Sequence, residues 1–149
     1  MGQSAAGRKI GLYIGAALRF FVGAIIGRLV FPLTIGTPLL IAPLLAERFH
    51  GDSVLALAIA TGIGAVLSAG IGSVLGRRPE VDWWFLGGAL LGPAFMLLSA
   101  IRGAMTGADA YGLIASGAYS IAGLALLLGF QSGRKRMAAE PSDSPEITQ

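Results

Sequence analysis

The sequence predicts an all-α integral membrane protein, with about four transmembrane helices preceded by an N-terminal amphipathic or tilted helix. Three observations carry that expectation. Of 149 residues, 54% are hydrophobic and only 13% charged, whereas a soluble domain carries about a quarter charged residues to cover its surface. The apolar residues gather into four blocks separated by short polar stretches, and a bilayer removes the need for a charged surface over such blocks. The basic residues alternate between richer and poorer groups along the chain, as the positive-inside rule requires of a multi-pass protein.

The first block runs from Ile10 to Ala46 and is interrupted only by Arg19 and Arg28. A helix rising about 1.5 Å per residue needs roughly 20 residues to cross a ~30 Å hydrocarbon core. The block is too long for one straight crossing and short for two. Its flanks decide. Arg8 and Lys9 are followed in turn by Arg48, by Arg77 and Arg78, by Arg102, and by Arg134, Lys135 and Arg136. One crossing in this block keeps the three richer groups together on the cytoplasmic side, whereas two would export Arg8 and Lys9. Residues 1–28 therefore read as an interfacial helix and 29–46 as the first span of a bundle covering 29–130. On a helical wheel Gly11, Gly15, Arg19, Gly23 and Gly27 share one face, opposite Ile10, Tyr13, Ile14, Phe20, Phe21 and Ile25, a pattern suited to a membrane surface. Arg28 lies nearly opposite Arg19, and both are candidates for an intramembrane charge or a lipid or anion contact. Pro32, Pro38 and Pro43 withhold their N–H groups and predict a kink or local unwinding.

The second span, 53–76, carries Ala56, Ala60, Gly64, Ser68, Gly72 and Gly76 at every fourth position. Helices associate in lipid through close van der Waals approach, and a stripe of small residues permits it. This glycine zipper marks helix packing, as do Gly11, Gly15, Gly23 and Gly27. A short charged turn then leads to the third span, 83–101, with Arg77, Arg78, Trp83 and Trp84 as membrane-interface anchors. The fourth span is 110–130. Residues 131–149 read as a flexible cytoplasmic tail, so both termini are expected inside the cell (inner) membrane.

Chemistry is conspicuous by its absence. There is no cysteine and a single histidine, His50, so no metal site, catalytic residue or cofactor is expected. Glu47, His50, Asp52 and Asp109 gather near one side as solvated loop residues or at most a weak cation site. The basic residues flank apolar blocks and form no aromatic-interleaved patch, which excludes nucleic acid as a partner. Gly76, Arg77, Arg78, Pro79 and Glu80, followed by Ala94, Phe95 and Met96, resemble the loop and second helix of the proteolipid c subunits of rotary ATPases. That family's ion-binding carboxylate would stand next, and Leu97 is there instead, so the resemblance implies no ion translocation. The expected partners are the lipid bilayer and other membrane helices. The favoured function is that of an accessory or structural subunit in a larger membrane complex. The rival is a homo-oligomeric channel or small-solute transporter using Arg19 and the proline-broken 32–43 stretch.

Overall fold

A computed structural model of the chain describes residues 5–48, 53–107 and 110–139, and these form helices and turns, with no strand among the described residues. Helix α1 (Ala5–Phe31) passes through a π-helical segment, Pro32–Gly36, into α2 (Thr37–Arg48). There follow α3 (Ser53–Gly76), α4 (Trp83–Ala89), α5 (Leu91–Thr106) and α6 (Ala110–Ala139). Lys9–Arg48, Val54–Gly76 and Gly112–Ala139 are long and apolar enough to cross a membrane; α4 and α5, bent by 43°, make a fourth if they count as one span.

The departures from the sequence pattern have local causes. The sequence divides a helix over 1–28 from a span over 29–46, and α1 runs continuously across that boundary to Phe31. Neither Arg28 nor Leu29 breaks a helix. The break waits for Pro32, where the helix widens into the π segment; a π-bulge is one way to absorb a missing backbone donor. Within it the Thr34 hydroxyl donates to the Phe31 carbonyl at 3.3 Å. The third block, expected as one span over 83–101, is bent and divided at Leu90. Pro93 offers no N–H to the Ala89 carbonyl and its ring crowds that carbonyl, so the helix bends there. Finally, α6 continues past Phe130 to Ala139. Most of residues 131–139 are good helix formers, and Gly133 packs against α3. The tail expected over 131–149 is thus helical as far as 139, and residues 140–149 lie outside the described residues.

Two parallel helix pairs, built alike, organise the packing. In the first, Gly72 and Gly76 of α3 lie on the carbonyls of Leu126 and Phe130, while Gly129 and Gly133 of α6 lie on those of Ala69 and Ser73. A Cβ at any of the four would collide with backbone. Residue numbers rise together on both helices, so the pair is parallel and reciprocal. In the second, Gly23 and Gly27 of α1 face the carbonyls of Phe85 and Ala89, and Gly88 of α4 faces that of Phe20. Such backbone contacts admit Cα–H···O interactions of about 0.5–1 kcal/mol each. The pairs join through Gly64, which abuts the Thr34 carbonyl, and through Gly123, which abuts the Pro93 ring.

The interior mixes small residues at the helix seams with a few large ones, Phe31 and Phe85 among them. Ala56, Ala60, Ala118, Ala122 and Ser68 are buried, with Phe130, Ile35, Leu86 and Leu126 as the largest fully enclosed side chains. Leu40, Val66 and Phe95 are 80%, 73% and 70% exposed. Water would penalise so much exposed apolar surface; hydrocarbon does not.

Leucine at Gly72 or Gly129 must push the α3–α6 backbones apart. Each substitution should lower unfolding stability in detergent by at least about 1–3 kcal/mol, the usual range for overpacking. Gly62→Leu, where nothing lies within 4 Å, should change it little. Denaturant titration followed by circular dichroism makes the comparison.

Candidate functional site at the Arg77–Asp82 turn

The polar contacts that tie distant parts of the chain together cluster at one end of the bundle. After Gly76 the chain reverses through a turn in which the Arg77 and Arg78 N–H groups donate to the Val74 and Leu75 carbonyls, at 3.2 and 3.0 Å. Val81 N–H then donates to the Arg78 carbonyl at 3.2 Å. Asp82 occupies the N-cap of α4 with extended backbone, and its Oδ1 accepts from the Phe85 N–H at 3.0 Å. That contact satisfies one of the amide donors left free at a helix start. The other oxygen, Oδ2, accepts from Arg19 Nη1 at 2.7 Å. One carboxylate therefore caps α4 and holds α1 beside it.

Arg134 makes a comparable tie from α6. Its Nη2 donates to the Val81 carbonyl at 2.6 Å, and its guanidinium lies 5.4 Å from the centre of the Phe130 ring. The same ring meets Trp83 edge-on, with centroids 5.3 Å apart. Phe130 is wholly buried, so the turn is held from both sides: by Arg19 through Asp82, and by Arg134 through Val81.

Burial works against the Asp82 carboxylate, but the Phe85 N–H, the Arg19 guanidinium and the Trp84 N–H outweigh it, and the pKa falls below the usual 3.8. A lowered native pKa means that folding favours the charged form. The resulting stabilisation is complete above pH 3.8 and drains away as pH falls through the lower native value.

The candidate residues read from sequence take distinct places. Gly23, Gly27, Gly64, Ser68, Gly72 and Gly76 are all buried in helix contacts; the Ser68 hydroxyl is fully enclosed and makes no hydrogen bond. Gly11 and Gly15 have nothing within 4 Å, so the α1 stripe is occupied only over its second half. Arg28 is exposed, and its side chain pairs with no described residue. Arg77, Arg78, Trp83 and Trp84 are exposed around the turn. Arg19 is set level with Asp82, at the end of the bundle. His50, Asp52 and Asp109 lie outside the described residues; among the described ones no group of three or more His, Cys, Asp or Glu is placed to hold a metal.

The sequence reading missed two residues. Asp82 stands directly before an apolar helix, which is an N-cap signal available from sequence. Arg134 sits within a run of basic residues, and nothing in that run distinguishes it. No family model, no curated protein and no solved structure matches this chain.

Asp82→Ala should destabilise more than Arg19→Ala, because it removes the cap as well as the ion pair. The cap is worth about 1 kcal/mol. With the Arg19 and Asp82 side chains 58% and 26% exposed, their coupling in a double-mutant cycle should be about 0.2–1 kcal/mol and shrink with salt. It should persist down to pH 3.8 and vanish in stronger acid, with pH-dependent unfolding as the measurement.

Proposed function

We propose that the chain is a small multi-pass membrane protein that packs against other membrane helices as an accessory or structural subunit, and that it catalyses no reaction. In this reading α1–α2, α3, α4–α5 and α6 are four spans of the cell (inner) membrane, with both termini cytoplasmic. The parallel pairing supports it. Spans that alternate in direction make the first parallel to the third and the second parallel to the fourth, as α1 is to α4 and α3 to α6. The basic turn at Arg77 and Arg78 and the Arg134–Arg136 cluster then share the cytoplasmic side.

The observation that carries the subunit role is where the polar chemistry goes. Arg19, Asp82 and Arg134 each bond to other parts of the protein, although the buried Arg134 Nε has no partner among the described residues. Glycine, alanine and serine close the helix seams around buried Phe31, Phe85 and Phe130. What the protein offers outward is apolar helix surface. The π segment favours a transporter as second reading, since broken helices serve substrates where they line a cavity. Thr34 and Ile35 in that segment, however, are buried in packing.

Mild-detergent purification followed by native mass spectrometry is the test. A stoichiometric hetero-complex is the expected result. A homo-oligomer that passes a selective current in liposomes, abolished by Arg19→Ala, would replace this reading with the channel.

A further inference from the structure

Beside the two committed arginines of the turn stand two that are not. The Arg77 and Arg78 side chains are exposed and make no hydrogen bond or ion pair with any described residue. Glu80, in the same turn, is exposed and forms no ion pair with either. On α3, immediately before them in the chain, runs a shallow apolar groove of about 420 Å³, lined by Val66, Leu67, Gly70, Ile71, Val74 and Leu75. Gly70 opens it, having nothing within 4 Å. From Val66 to Leu75 the helix rises about 14 Å, close to half of a ~30 Å hydrocarbon core. The groove is therefore as long as one leaflet is deep, and its last lining residue, Leu75, stands two positions before the exposed Arg77 and Arg78.

We propose that this face binds an anionic phospholipid, with an acyl chain along the Val66–Leu75 groove and the headgroup phosphate on Arg77 and Arg78. The charge at the groove's end selects the occupant. Guanidinium groups bind phosphate through paired, charge-assisted hydrogen bonds, and basic sites at the ends of membrane helices recognise acidic headgroups. A zwitterionic lipid fills the groove equally well but brings no net charge to the arginines. The proposal rests on the membrane reading above and is independent of the subunit role. Failure of the membrane reading would appear first, as protein that stays in solution without detergent.

The experiment is a titration of the detergent-purified chain with phosphatidylglycerol and, separately, phosphatidylcholine, read by native mass spectrometry. Phosphatidylglycerol should be retained preferentially. The double variant Arg77→Gln/Arg78→Gln should weaken its retention roughly 30-fold, about fivefold per basic residue. Gly70→Leu should weaken it as well, by filling the groove while leaving the charge in place. All three positions are exposed, and circular dichroism checks that both variants keep the helical fold. Equal retention of the two lipids, or undiminished retention in either variant, overturns the proposal.

Discussion

A glycine Cα resting on the carbonyl oxygen of a neighbouring helix is the contact on which this protein depends. It is made at both helix pairs, and on both partners of each pair. Its strength is geometric. Without a Cβ on either side, two backbones approach until dispersion and weak Cα–H···O contacts act over several turns. In water, hydrophobic burial would dominate and larger side chains would serve better. In hydrocarbon that gain is small, because lipid tails are as apolar as leucine, and closeness is what remains. The enclosed alanines and the exposed leucines and valines follow from the same reasoning.

Direction within each pair is then fixed at the turn. Glycine seams tolerate sliding by one turn, since a stripe of small residues at every fourth position offers several similar registers. Polar ties remove that freedom. Arg19 on Asp82 sets the height of α1 against α4, and Arg134 on the Val81 carbonyl sets α6 against the same turn. Each tie is modest in energy, as exposed ion pairs are. Their role is registry: a tie of about 1 kcal/mol already favours one of two otherwise equal alignments by about fivefold.

Much of this was legible in the sequence, and the limits have physical reasons. The α3 stripe and the bounds Ser53–Gly76 follow from periodicity and length. The exposed Trp83 and Trp84 beside the turn follow from the composition around it. The bend at Leu90 was missed although Pro93 is plain in the sequence, because proline in a long apolar run permits a kink without requiring one. No backbone feature falls at residue 28, so α1 is continuous across it and ends at Phe31, just before Pro32. Which glycine of α1 finds a partner depends on where α4 begins, and pattern alone carries no such information. That is why Gly23 and Gly27 are occupied while Gly11 and Gly15 are not. Arg134 was indistinguishable from Lys135 and Arg136 until α6 acquired a rotation.

The pairing of first with third and second with fourth has a consequence for biogenesis. On the proposed membrane reading, a chain inserted from its N-terminus lays down α1 before α4, and Gly72 and Gly76 of α3 before the α6 carbonyls that cover them, although Gly64 meets the Thr34 carbonyl at once. Each of the two earlier faces waits through the synthesis of an intervening segment with its backbone groove uncovered. On that reading the bare faces would be open during the interval to other membrane helices, and the order of emergence would limit what can pair with them.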